Sequence, residues 1–150
     1  MTMNNPELIN VNISPDDRGE ITHCNNFDFN EKKIKRFYKI ENHKLNFIRA
    51  WHGHKKEQKY ILILSGSIKV SLVKINNWKK PNKKLQIKNY YLNEKCPQML
   101  YIPGGYAHGT QNLKKNTSFI VFSNFSINQS LKDDFRYPYD YWGDWKTNYR

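Results

Sequence analysis

The chain has 150 residues, 38% of them hydrophobic and 15% aromatic, which is enough for one domain with one core. Its formal net charge is +12, from 25 Lys and Arg against 13 Asp and Glu, and most basic residues are lysines spread in pairs along predicted loops. We therefore expect a solvated basic surface and no nucleic-acid partner. No run approaches the roughly 18 apolar residues of a membrane helix, and the polar amino terminus lacks a secretory signal, so we expect a cytoplasmic protein without membrane insertion.

Short extended segments separated by turn residues follow one another along the chain. Residues 1–13 are predicted to form a leading arm or edge strand, and clusters of Pro, Gly, Asn and Ser punctuate the rest. No long amphipathic helix, repeat or linker interrupts this pattern, which is typical of an all-β barrel or sandwich. We predict a single domain over residues 1–150 with an N-terminal arm and an aromatic C-terminal tail. The later predicted strands cover residues 34–40, 47–52, 60–64, 67–75, 85–92, 99–102 and 119–125.

Residues 48–66 hold a pair of histidines that alternate along a predicted strand. His52 and His54 are two positions apart, so both side chains lie on one face of that strand. A polar turn and the apolar strand 60–64 follow, which predicts a strand, a tight turn and a second strand. With Arg49 and Lys59 nearby, two inward histidines predict a pocket that moves protons beside an anion. A lone histidine is more often a core or surface residue, but this pattern favours a site.

A second motif lies in residues 101–112, where Pro103, Gly105, His108 and Asn112 are spaced at short intervals. This pattern resembles the second signature of the cupin superfamily. The histidine pair and Gln58 resemble the first cupin signature, although metal-binding cupins usually have Glu at the position of Gln58. Within the cupins, the chain resembles the dTDP-4-dehydrorhamnose 3,5-epimerase family. That resemblance extends to residues 17–19 around Arg18, to residues 48–52, and to the tryptophan-containing tail.

This resemblance implies an all-β cupin (RmlC-like) jelly-roll barrel, a homodimer, and a nucleotide-activated 4-keto-6-deoxysugar as substrate in surface-polysaccharide synthesis. It also implies that His52 is the catalytic base. The sugar-nucleotide 3,4-ketoisomerases resemble the first motif better, since Arg49, His52, His54, Lys55 and Gln58 reproduce their pattern. Those enzymes use the two histidines as base and acid. The motifs leave epimerase and ketoisomerase open, and the epimerase is the first expectation.

The sequence departs from the epimerase pattern at two places. The family's tyrosine acid comes from a strand near residues 119–125, which contain no tyrosine, so Phe122 is expected in its place. The family's histidine-orienting aspartate precedes a proline, where this chain has Tyr137, so Asp140 or Asp144 would have to substitute from another position. We therefore expect proton exchange or inversion at one carbon, C3, and little at C5.

The residues themselves suit enolate chemistry beside a ketone. His52, with an ordinary pKa near neutrality, suits the base. Lys59 or Arg49 can stabilise the enolate oxygen or hold the diphosphate. A second proton comes from His54 or His108. The expected catalytic residues are His52, His54 and Lys59, and the expected substrate-binding residues are Arg18, Arg49, Gln58 and His108.

Two alternatives from other classes remain. A metal-dependent cupin enzyme would use His52, His54 and His108 as facial ligands, but Gln58 is neutral and Lys59 repels a cation, so we expect no metal and no cofactor. A non-catalytic sugar-binding cupin is the other alternative.

The aromatic tail (residues 135–149) is expected to pack against the body or a partner. Its rings are Phe135, Tyr137, Tyr139, Tyr141, Trp142, Trp145 and Tyr149.

Overall fold

The computed structural model describes residues 4–143, 145–147 and 149–150, so residues 1–3 of the predicted arm and Asp144 lie outside the described residues. Nearly all regular structure in the described part is β-strand. The strands are β1 (Glu7–Asn10), β2 (Asn12–Asp16), β3 (Gly19–His23), β4 (Arg36–Asn42), β5 (Ile48–His54), β6 (Lys59–Ser65), β7 (Ser67–Lys74), β8 (Ile87–Asn93), β9 (Gln98–Ile102), β10 (Tyr106–Asn112), β11 (Thr117–Ser123) and β12 (Phe135–Arg136). One short helix, α1 (Ile127–Leu131), precedes β12, and no helix of the described part is long and apolar enough to cross a membrane.

Two five-stranded antiparallel sheets form the body. The first sheet has the order β1-β9-β6-β11-β4, and the second has the order β12-β5-β10-β7-β8. Their inner faces share one buried cluster, to which β6 contributes Ile61 and Ile63 and β7 contributes Val70 and Leu72. The all-β prediction is confirmed. Over the described residues each sheet keeps its own hydrogen-bonded edges, so the architecture is a jelly-roll sandwich and not a closed barrel.

The two strands on either side of the polar turn lie in opposite sheets. β5 pairs with β10 and β12 in the second sheet, whereas β6 pairs with β9 and β11 in the first. The turn between them therefore crosses from one sheet to the other at the end of the sandwich. As a result, His54 at the end of β5 and Lys59 at the start of β6 meet across the interior.

The second motif forms a turn followed by strand β10, which the sequence did not predict as a strand. β10 lies between β5 and β7, with His108 opposite His52 in the register. Gly104 in the preceding turn packs against the β5–β6 turn, since a Cβ there would lie 2.6 Å from the Lys55 carbonyl oxygen. The glycine-rich motif thus lets two turns approach closely beside the histidines.

The aromatic tail covers the outer face of the second sheet, which confirms that it packs on the body. Trp142 and Trp145 are buried in one cluster with Trp51 of β5. The tail is also tied to the loop before β8, where the Tyr141 hydroxyl donates to the Pro81 carbonyl at 2.7 Å. Some rings of the tail remain in solvent, since Tyr139 and Tyr149 are exposed.

The hairpin of β2 and β3 is separate from both sheets. Its two strands pair only with each other, and nearly every residue in them is exposed, including Ile13 and Ile21. Arg18 lies at its turn, where its guanidinium pairs with Asp16. An isolated two-stranded hairpin is marginally stable in water, and this one leaves the apolar side chains of Ile13 and Ile21 exposed.

Candidate active site

A cavity of about 470 Å³ lies between the two sheets. Its two long walls come from different sheets. The second sheet contributes Arg49, His52, His54, His108 and Thr110, and the first contributes Arg36, Tyr38, Lys59, Ile61, Phe119 and Val121. The segment after β11 closes one side with Ile127, Ser130, Leu131, Asp134 and Arg136. The cavity therefore has both apolar side chains and polar groups on its two facing walls.

Three histidines lie together on the second-sheet wall. The ring centroid of His108 lies 6.1 Å from that of His52 and 6.0 Å from that of His54. The strand alternation predicted that His52 and His54 share a face, and β10 brings His108 beside them. This wall therefore presents three imidazoles to anything bound in the cavity.

All three imidazoles are driven towards the neutral form. Burial, reinforced by the charge of Arg136, lowers the pKa of His52 to about 4. Burial likewise lowers the pKa of His54 and His108, and the Lys59 ammonium adds to both shifts. At neutral pH each ring then keeps a nitrogen lone pair, which is the form that can accept a proton.

The hydrogen bonds of His54 define which of its nitrogens carries the proton. Its Nδ1 lies 2.7 Å from the backbone carbonyl oxygen of Asp133, and a carbonyl can only accept, so Nδ1 donates. In the neutral ring Nε2 then holds the lone pair, which faces the Lys59 ammonium at 2.9 Å. Burial lowers the pKa of Lys59 to about 8, so its proton is held less tightly than in solution.

Glu57 belongs to the polar turn after β5, and it is buried beside His54 and Lys59. One carboxylate oxygen accepts from the Ser123 hydroxyl at 2.6 Å and from Arg36 at 3.1 Å. The other accepts from the Ser130 hydroxyl at 2.7 Å and lies 3.1 Å from His54 Nδ1. A single glutamate in a lysine-rich turn gives no local signal of burial, because its partners are distant in sequence.

Tyr38 supplies a phenol on the wall opposite the histidines, and the sequence reading missed it. β4 turns Arg36 and Tyr38 inwards, and the Lys59 nitrogen lies 5.9 Å from the Tyr38 ring centroid. Burial raises the pKa of Tyr38 to about 12, so the phenol keeps its proton. The strand alternation of residues 34–40 was the signal that could have found it.

The expectation that Phe122 takes the place of the family's tyrosine is wrong. Phe122 faces the outer side of the first sheet, where it packs against Phe27 and Phe29. Phe119 and Val121 are the residues of that stretch that line the cavity, and Val121 pairs with Tyr38 in the register. The phenol therefore comes from the neighbouring strand, and the expectation of a cavity wall without an acid is also wrong.

Among the described residues, the C-terminal acidic residues beside the histidines are Asp133 and Asp134, and not the expected Asp140. The Asp133 carboxylate accepts from the backbone N–H groups of residues 55–57 at 2.8–2.9 Å and so fixes the β5–β6 turn. Asp134 lines the cavity and raises the pKa of His52 against the effect of burial. Asp140 is exposed, and Asp144 lies outside the described residues.

The remaining expected site residues differ in position. Arg49 lines the mouth of the cavity and donates to the Asn42 side chain at 2.7 Å. Gln58 does not line the cavity, and its backbone N–H donates to Asn124 at 2.8 Å. Arg18 lies on the separate hairpin and also does not line the cavity. Substrate-binding roles for Gln58 and Arg18 stay predictions from the motifs.

The purified protein is expected to contain no stoichiometric metal. Within the described part of the chain no group of three His, Cys, Asp or Glu side chains has the arrangement to hold a metal ion. Both nitrogens of His54 already face partners, Asp133 and Lys59, and the ammonium repels a cation. Elemental analysis after passage over a chelating resin checks this. Near-stoichiometric metal, with activity lost to chelator and restored by that metal, would contradict it.

Two comparisons with known proteins match most of the chain. A family model described as FdtA: WxcM-like, C-terminal matches residues 4–143. The spore coat polysaccharide biosynthesis protein SpsL of Bacillus subtilis (strain 168) is 30% identical over 107 residues, which is 69% of this chain and 70% of that protein. Both matches cover most of the chain.

Solved structures of similar fold include two kinds of isomerase. The QdtA 3,4-ketoisomerase from Thermoanaerobacterium thermosaccharolyticum, in a double-mutant form with TDP bound, superposes with a TM-score of 0.68 at 26% identity over 94% of each chain. The rmlC epimerase of Mycobacterium tuberculosis gives a TM-score of 0.71 at 16% identity, over 91% of this chain and 70% of that chain. The second likeness concerns the fold alone.

Proposed function

The chain belongs to the FdtA family (WxcM-like, C-terminal), and from that premise we propose that it is an isomerase of a nucleotide-activated 4-keto-6-deoxysugar in polysaccharide biosynthesis. The observation that carries the proposal is a neutral, half-buried His52 facing Tyr38 and Lys59 across a cavity of about 470 Å³. Base and acids on opposite walls are what enolate chemistry requires. A non-catalytic sugar-binding protein would not need them.

The first candidate reaction is a 3,4-ketoisomerisation. His52 takes the proton from C3, and the electron pair moves to the C4 oxygen to give an enediolate. The Lys59 ammonium faces the cavity from the first sheet and stabilises this negative charge. The O3 proton then leaves and protons add at O4 and C4, so the carbonyl has moved from C4 to C3. The 26% identity to a 3,4-ketoisomerase over 94% of each chain supports this candidate.

The second candidate is the 3,5-epimerase, which the motifs put first. Tyr38 favours it, because a phenol on the wall opposite His52 can return a proton to the other face of the enolate. In either reaction, Arg49 of the cavity wall can bind the diphosphate of the substrate. The basic surface of the protein attracts this anionic group towards the cavity. The two candidate reactions differ in which carbons of the sugar exchange their hydrogen with the solvent.

Incubation with TDP-4-keto-6-deoxyglucose in D2O is expected to give a 3-keto product with deuterium at C4. The reverse reaction places deuterium at C3 of the recovered 4-keto substrate, and little deuterium is expected at C5. NMR locates the label. A reaction without enzyme and one with the free sugar are the controls. Deuterium at both C3 and C5 at similar rates, with both centres inverted and the ketone still at C4, would overturn the ketoisomerase and make Tyr38 the second donor of an epimerase.

We further propose a single cupin domain that works as a cytoplasmic homodimer. The hairpin of β2 and β3 supports the dimer, because Ile13 and Ile21 are 38% and 61% exposed on an element that pairs with neither sheet. A second copy would cover this surface and could bring Arg18 of the hairpin turn to a neighbouring cavity. Light scattering of the purified chain measures the mass in solution, and a monomer at micromolar concentration would contradict the proposal.

A further inference from the structure

Glu57, His54 and Lys59 form a line of three buried groups at the base of the cavity. His54 Nδ1 lies 3.1 Å from a Glu57 carboxylate oxygen, and His54 Nε2 lies 2.9 Å from the Lys59 nitrogen. The three residues are 2%, 5% and 5% exposed. A carboxylate behind an imidazole that contacts a reacting group is the arrangement that orients and charges catalytic histidines in other enzymes.

We propose that Glu57 is a positioning residue of the active site, which orients the His54 ring and keeps the Lys59 ammonium charged beside the substrate. This inference rests on the proposed function, in which Lys59 stabilises the enediolate. Glu57 itself does not line the cavity, so it acts through His54 and Lys59 and not on the sugar.

The carboxylate is built into place by three separate elements. Arg36 of β4 and Ser123 of β11 bind one oxygen, and Ser130 of α1 binds the other. A buried carboxylate is costly unless it is paired and hydrogen-bonded. These three donors hold the carboxylate in one position, with one oxygen 3.1 Å from His54 Nδ1. The Nδ1–H itself donates to the Asp133 carbonyl, and the nearby carboxylate favours this protonated nitrogen and this orientation of the ring.

Charge gives Glu57 its second effect. Arg36 and Lys59 are two cations at the base of the cavity. Burial lowers the pKa of Lys59, and among the acidic residues Glu57 contributes most to raising it again. Asp133 and Asp134 add smaller contributions of the same sign, and Arg36 opposes them. Without the Glu57 charge, Arg36 and burial act on Lys59 with little to oppose them, so its proton is lost at lower pH.

The test compares Glu57→Gln, which keeps the shape and removes the charge, with the wild type and with Glu41→Gln. Glu41 is an exposed glutamate on β4 and serves as the matched control. In the wild type, kcat/KM is expected to fall above about pH 8 as Lys59 loses its proton. In Glu57→Gln this alkaline fall moves down by at least about one pH unit, with kcat reduced and KM little changed. An unchanged profile in the folded variant overturns the proposal.

Glu57→Asp keeps the charge but moves the carboxylate away from His54. It is the second test variant if Glu57→Gln does not fold. We expect its alkaline fall to stay in place while kcat drops by about 10–10²-fold; a wild-type kcat overturns the orienting role. Nitrogen-15 NMR of the wild-type histidines gives a readout without substrate. His54 is expected to be protonated at Nδ1, and a ring protonated at Nε2 alone overturns the proposed role of Glu57. This result does not depend on turnover. A lack of turnover of sugar nucleotides would instead refute the proposed function.

Discussion

The His52→Asn variant is expected to turn over about 10²–10⁴-fold more slowly than the wild type, the usual contribution of a positioned acid–base group. Asn keeps a polar side chain of similar reach but has no nitrogen that accepts a proton. The low pKa of His52, about 4, means that the wild-type ring is ready to act as a base over the whole neutral range. Loss of deuterium exchange at C3 of the recovered 4-keto substrate in D2O, followed by NMR, measures the effect at the proton that His52 removes.

His43→Asn is the matched control for this variant. His43 is an exposed histidine between β4 and β5 and does not line the cavity, so its replacement is expected to leave kcat and the melting temperature unchanged. The His52→Asn protein is also expected to melt close to the wild type, because His52 is only half-buried and takes part in none of the ion pairs seen among the described residues. A folded His52→Asn protein with near-wild-type turnover would end the assignment of His52 as the base.

The Trp142→Ala variant is expected to lose about 3–5 kcal/mol of unfolding free energy, the range for removing a buried aromatic side chain. Trp142 is 1% exposed, packs edge-on against Trp51 with ring centroids 5.3 Å apart, and donates its indole N–H to the Asn82 carbonyl at 2.9 Å. Its loss leaves a cavity on the outer face of β5, the strand that carries His52. Urea unfolding followed by tryptophan fluorescence or circular dichroism measures it.

Tyr149→Ala is the control within the same tail, since Tyr149 is 100% exposed and its replacement is expected to change stability by less than about 0.5 kcal/mol. A chain that ends at Asp134 removes the whole tail and β12, and its melting temperature or solubility should fall sharply. If Trp142→Ala and the shortened chain both unfold like the parent, the tail does not stabilise the sandwich.

The sequence by itself determined the features that depend on local pattern. Alternation of apolar and polar residues marked most of the strands, because side chains point to opposite faces at every step of an extended chain. The same alternation predicted that His52 and His54 share a face, and both line the cavity. The density of rings in the tail predicted that it packs, because that much aromatic surface is stabilised by burial.

Only the tertiary structure decided which strands face each other and which distant side chains meet. The sequence of a single strand does not show that β5 and β6 lie in opposite sheets. It also does not show that β4 pairs with β11, the pairing that brings Tyr38 and not Phe122 to the cavity. Glu57 is buried because Arg36, Ser123 and Ser130, separated from it by 21 to 73 residues, converge on it. Strand pattern is local, whereas the charge and hydrogen-bond partners of a buried group are set by chain segments that only the fold brings together.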